Sequence, residues 1–373
     1  MYQVRKWAAA SFVTGSLATF AVGALVFAQA TAPADKSVPF KSTMANPYRL
    51  VENWPKLGSI PSGPAIGIIP DDKGGVWLLH RSNPPLLHID AAGNVVKTMA
   101  DGMFGTVHAF CRDREGNFWG GDSGPFNAAN PDAVKKAYVV HKFSPEGKLL
   151  FTIGKAGIQK SGEDTFIGPA ACISAPNGDI IIADGHHPRP PSVENGDRLV
   201  RYSKDGKFIR AYGKQGTAPG EFMGPHALAY DSQGRLFVAD RSNNRIQIFD
   251  KDMNFVDEWR HFGRPSGVAI LKDDTLVVAD SESSYAGFRP SELGFPGPEA
   301  RGVPRNAGWQ PGIRIGSAKD GSLRYFIPAT RPEGMGADDQ GDIFGGLTGQ
   351  CSSAGADRPT PGGPNCLQKW VKR

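Results

Sequence analysis

Two histidines and a glutamate stand at one register position of an internal repeat: His108, His226 and Glu333. Two imidazoles and one carboxylate, with a fourth position left open, make a catalytic zinc arrangement. Arg81 and Arg241 occupy a second shared position, where fixed guanidinium forks suit a carboxylate or another oxyanion. His186 follows Asp184-Gly185 and could take a proton near neutral pH. Each residue also has a plainer reading. A histidine at a strand start often packs a turn, His186 could be an exposed loop residue, and Arg241 could pair with Asp240 or Glu221. The recurrence of ligand types at equivalent positions argues for the chemistry.

The repeat that positions them is a turn, a short apolar strand, Asp-x-x-Gly, a second strand ending in Ala-Asp, then two further strands. Its clearest copy runs from Pro225-His226 through Gly234 and Asp240 to Arg245–Phe249 and Phe255–Trp259. The aligned turn residues are Gly74, Gly116, Gly178, Gly234, Asp274 and Gly341. Six residues further on stand His80, Asp122, Asp184, Asp240, Asp280 and Leu347. Period-2 alternation between glycine turns predicts six units of four strands, and an all-β six-bladed β-propeller whose ring hides its strand edges. Tyr48–Trp54 reads like a fourth strand, and Leu367–Val371 ends a unit that lacks one. The N-terminal strand is therefore expected to complete the last blade.

Register then becomes geometry. Eight residues before each aligned turn residue lie Ile66, His108, Ala170, His226, Ser266 and Glu333, at the start of the innermost strand. His108, His226 and Glu333 fall in alternate blades and should converge on the axis. Seven residues after the turn, on the same face, come Arg81, Ser123, Gly185, Arg241, Ser281 and Thr348. That face also carries the long insertions Ser123–Ala137, Gly185–Asp197 (with His186 and His187) and Ser281–Trp309. Long loops on one rim of a rigid scaffold commonly build a binding site.

The 373 residues carry 42 Lys+Arg against 37 Asp+Glu, a net charge of +5 that is too mild and dispersed for a nucleic-acid binder. Glycine (47) and proline (30), without a collagen period, point to many turns between short strands. Arg5-Lys6, the apolar run Trp7–Phe27 and Ala28-Gln29-Ala30 form a secretory signal peptide over residues 1–30. A tether over 31–45 and the propeller over 46–373 follow. The mature protein is expected in the periplasm or secreted, off the membrane, and monomeric. Export permits disulfides. Cys351 and Cys366 flank a Gly/Pro/Ser loop and are expected to bridge; Cys111 and Cys172 could pair or remain core thiols.

Gly224-Pro-His-Ala-Leu-Ala-Tyr, continuing through Val238-Ala-Asp-Arg-Ser-Asn-Asn-Arg-Ile-Gln-Ile-Phe249, resembles the NHL-repeat propellers and, within them, the peptidyl-α-hydroxyglycine α-amidating lyases. That resemblance implies a six-bladed propeller with an axial zinc held by three histidines. It also implies cleavage of a carbinolamide N–C bond to a peptide amide and glyoxylate. His108 and His226 match two zinc histidines, and Arg81 and Arg241 match two active-site arginines. The third zinc histidine is Glu333 here, the catalytic tyrosine is His186, and a carboxylate of the family's structural calcium site is Gly334. The sequence thus predicts a lyase-like site with zinc or another divalent metal on His108, His226 and Glu333. His186 would be the base, and Arg81 and Arg241 would hold a peptide or small-molecule substrate. The competing classes are a non-catalytic propeller that binds peptide, protein or glycan, and a lactonase-like hydrolase.

Overall fold

A computed structural model describes residues 42–124, 131–186, 196–283, 309–348 and 366–373. The expected signal peptide, most of the tether, His187, Cys351 and the middle of each long insertion lie outside these residues, and with Cys351 goes its expected bridge to Cys366.

Six four-stranded antiparallel sheets, each ordered from channel to rim, make six blades. Blade one is β2 (Ala65–Pro70), β3 (Val76–His80), β4 (Leu86–Ile89) and β5 (Val95–Met99). Blade two is β6 (Val107–Arg112), β7 (Phe118–Asp122), β8 (Val139–Phe143) and β9 (Leu149–Gly154). A short helix, α1 (Pro131–Lys136), which the strand pattern did not predict, precedes β8. Blade three is β10 (Pro169–Ser174), β11 (Ile180–Asp184), β12 (Arg198–Tyr202) and β13 (Phe208–Tyr212). Blade four is β14 (Pro225–Tyr230), β15 (Leu236–Asp240), β16 (Arg245–Phe249) and β17 (Phe255–Trp259). Blade five is β18 (Pro265–Ile270), β19 (Thr275–Asp280), β20 (Gly312–Ser317) and β21 (Leu323–Pro328). Blade six is β22 (Gly334–Ala337), β23 (Ile343–Gly346), β24 (Leu367–Lys372) and, as its outer strand, β1 (Tyr48–Leu50).

Closure by the N-terminal strand is as the sequence predicts. Tyr48, Arg49 and Leu50 pair with Lys372, Val371 and Trp370. Across the seam, Ala65 N–H donates to Leu347 O at 2.9 Å, and Ala65 and Ile68 share an apolar cluster with Phe344, Leu347 and Leu367.

The recurring turn residues follow from backbone conformation. The φ angles are +80° at Gly74, +87° at Gly116, +90° at Gly178, +76° at Gly234, +84° at Gly341 and +66° at Asp274. Glycine fits that left-handed position at no steric cost, and aspartate is among the few others that tolerate it. The column six residues later is structural as well. Asp122, Asp184, Asp240 and Asp280 are fully buried, and each accepts backbone N–H bonds from the segment entering its own inner strand. Arg198, Arg245 and Arg314 neutralise three of them at 3.1, 2.8 and 3.2 Å. These aspartates tie the start of the inner strand to the end of the second strand. Burial pushes the Asp240 carboxyl up to about 6 against the pull of Met223 N–H and Arg245. Replacing Asp240 by Ala would leave Arg245, which is 1% exposed, without this counter-charge. The expected loss is about 3–5 kcal/mol, read from urea unfolding.

Candidate metal centre

The residues eight before each turn all line one axial channel of about 380 Å³: Ile66, His108, Ala170, His226, Ser266 and Glu333. A bulge brings most of them there. In blade four the register slips between Pro225 and Ala227, so His226 is the extra residue; equivalent slips lie at Ile66, at Ala170, at Ser266 and across His108-Ala109. A bulge re-aims a side chain that regular pleating would send elsewhere.

His108 and His226 are oriented by the same device. Each uses Nδ1 against an inner-strand carbonyl of the next blade, Ala170 O for His108 and Ser266 O for His226, both at 2.6 Å. A carbonyl can only accept, so each Nδ1 carries the proton and each Nε2 keeps its lone pair, the form in which imidazole binds metals. Burial, and then the neighbouring His226 and Arg81, hold His108 well below the usual histidine range, so it is neutral at pH 7.

His186 joins them from the turn after β11. It is 4% exposed, and its ring centre lies 4.0 Å from that of His108 and 5.0 Å from that of His226. One nitrogen from each of His108, His186 and His226 can be chosen so that all lie within 4.8 Å of one another. Such a buried three-nitrogen set fits zinc or a similar divalent ion. Glu333, from the start of blade six, sits beside this set, its Oε2 3.9 Å from His226 Nε2. The structure therefore brings the four predicted ligand and base residues to one end of the channel, with His186 among the nitrogens and Glu333 next to them.

The arginines flank the cluster. Arg81 donates Nε–H to Val107 O at 3.2 Å, and burial lowers its pKa to about 10 against the opposing fields of Glu333 and Asp122, leaving it charged at pH 7. Arg241, in the single turn Arg241–Asn243, places Nη2 3.3 Å from His186 Nε2 and Nη1 3.6 Å from Glu282 Oε1. The simple turn-capping pair with Asp240 or Glu221 is not formed: Asp240 takes Arg245, and Glu221 takes Lys214.

Glu282 escaped the sequence reading, and the pairing of Ser266 with Ser281 across their two columns was not foreseen. Glu282 links Arg241 to the buried Arg264, whose Nε is 2.9 Å away. Ser281 and Ser266 share a 2.6 Å hydroxyl contact beside the strand that orients His226. A signal for the first existed: eight residues after the turn, one past the arginine column, stand both His186 and Glu282.

Comparison with known proteins places these observations. A family model for the NHL repeat matches residues 222–249. NHL repeat-containing protein 3 of Homo sapiens is 30% identical over 248 residues, 62% of this chain and 66% of its own. Peptidyl-glycine alpha-amidating monooxygenase of Mus musculus is 26% identical over 293 residues, 69% of this chain and 28% of its own. The chain thus spans less than two thirds of the length of these curated relatives. Among solved structures, a gluconolactonase of Xanthomonas campestris superposes with a TM-score of 0.56 at 16% identity, covering 92% of this chain and 99% of its own. That likeness concerns the fold.

Proposed function

We propose that this NHL-repeat six-bladed propeller, which resembles the peptidyl-α-hydroxyglycine α-amidating lyases, is an exported metal-dependent lyase that cleaves the N–C bond of a carbinolamide. The observation that carries the reading is the convergence of His108, His186 and His226 within 4.8 Å at the axis, flanked by two arginines. The similarity to a probable peptidyl-alpha-hydroxyglycine alpha-amidating lyase of Caenorhabditis elegans, 23% identical over 55% of this chain, supports the reaction class. The basic-apolar-Ala-x-Ala leader and the Cys111–Cys172 disulfide support export to an oxidising compartment.

The three histidines would hold zinc or another divalent ion, which supplies Lewis-acid polarisation of a substrate oxygen. This assignment exchanges two sequence-level roles: His186 becomes a ligand, and Glu333 becomes the proton acceptor. Glu333 takes the proton of the substrate hydroxyl. The C–O bond then closes to a carbonyl as the C–N bond breaks, and the departing amide nitrogen takes up the proton that Glu333 accepted, which restores the carboxylate. Arg81 and Arg241 bind the substrate carboxylate and keep it in register with Glu333. Arg81 is fixed by its bond to Val107 O, so little ordering remains to be done on binding.

The test is release of glyoxylate and peptide amide in equal amounts from a peptidyl-α-hydroxyglycine. Zinc-loaded wild type should turn over, Arg81→Ala should lose about 10²–10³ in kcat/KM, and Glu333→Gln should keep its metal while losing turnover. Metal-loaded protein that releases no glyoxylate would reject the lyase reading.

A further inference from the structure

We propose that the Cys111–Cys172 disulfide is a positioning clasp for the metal site, holding His108 in its binding orientation by fixing the inner strands of blades two and three against each other. The proposal rests on the reading of the three histidines as a metal site.

The bridge joins β6 to β10, with the two Cα atoms 5.5 Å apart. The same two strands carry the bond that orients His108, from Nδ1 to Ala170 O. Cys111 is three residues from His108 and Cys172 two from Ala170, so the clasp and the orienting bond lie within about 10 Å along each strand. The β6–β7 register slips across His108-Ala109, which turns the His108 ring out of the blade's regular pleat and toward its acceptor on β10. Its orientation therefore depends on where β10 stands.

Comparison within the ring sharpens this. His226 makes the same kind of bond to Ser266 O, yet β14 and β18 carry no cysteine. Both begin with proline, Pro225 before His226 and Pro265 before Ser266. Proline fixes φ and stiffens the strand start on which the ligand stands. Glu333 likewise follows Pro332, whereas His108 follows Val107. Of the two histidines oriented by an inner-strand carbonyl, His226 has a preceding proline, and His108, which has none, stands on the strand that is cross-linked to its hydrogen-bond acceptor. The disulfide is thus placed where backbone stiffness is missing.

Two variants test the clasp. Cys111→Ala with Cys172→Ala removes the bond, and Cys111→Val with Cys172→Ala removes it while refilling most of the volume. Zinc affinity is measured by competition with a chromophoric chelator on monodisperse protein of native circular dichroism. The expected result is about tenfold or greater weakening in both variants, the scale on which outer partners of metal ligands act. A purely structural bridge would lower the melting temperature and leave zinc affinity alone, and equal affinity in either folded variant overturns the proposal. If neither variant folds, the bridge is a requirement of the ring and the proposal also fails. Wild-type protein that takes up no zinc overturns the metal reading itself, a result separate from these.

Discussion

Replacing His226 by Ala is expected to leave the ring folded, strip it of metal and reduce turnover to background. His226 lines the channel and belongs to none of the apolar clusters between blades. Its removal forfeits the hydrogen bond to Ser266 O, worth about 1 kcal/mol. The metal is affected far more. Outer-shell partners are already worth about 10–100-fold in affinity, so loss of a direct ligand should exceed about 100-fold. Zinc content after dialysis and a thermal melt together read the two effects. A variant that keeps its zinc, or that unfolds, would contradict this placement of His226.

The largest stability effect is expected from a chain that begins at Pro55. Such a chain lacks β1 and Trp54, leaving β24 as an open edge. It also loses the buried rings of Tyr48 and Trp54, 6% and 5% exposed, the first packed edge-on to Tyr325 and the second tilted against Phe344. Burial of each side chain contributes about 1.5–3 kcal/mol, and the backbone bonds Val51 N–H to Lys369 O and Arg373 N–H to Pro47 O go with them. That sum approaches the whole 5–15 kcal/mol of an ordinary domain. The truncated protein should be recovered unfolded or aggregated, as exposed edges template association. A native melt at the full-length temperature would show that ring closure does not depend on this strand.

Most of the fold was legible because its periodicity is written in residues with a single physical purpose. Positive-φ turn positions demand glycine or aspartate, as at Gly234 and Asp274. Buried aspartates such as Asp240 recur because each inner strand needs its entering N–H groups capped. The axial column was legible for the same reason: a fixed register puts His108 and His226 on one channel. What was not legible depends on contacts between blades. Whether Cys111 meets Cys172 is decided by how β6 lies against β10, and no within-blade pattern encodes that. His186 read as a base and not as a ligand because its column, shared with Glu282, otherwise holds Ser82, Gly124, Ser242 and Gly349. Its burial comes from the two histidines it meets, which belong to other blades.

The central claim is that three histidines from three blades share one ion. It is tested most directly by the metal-to-protein ratio of wild type, loaded with excess zinc, dialysed against chelator-free buffer and measured by elemental analysis. The account predicts about one zinc per chain in wild type and near none in His226→Ala or His186→Ala protein treated identically. A wild-type ratio near zero, or a full ratio that persists when His186 is removed, would contradict the site as built from His108, His186 and His226.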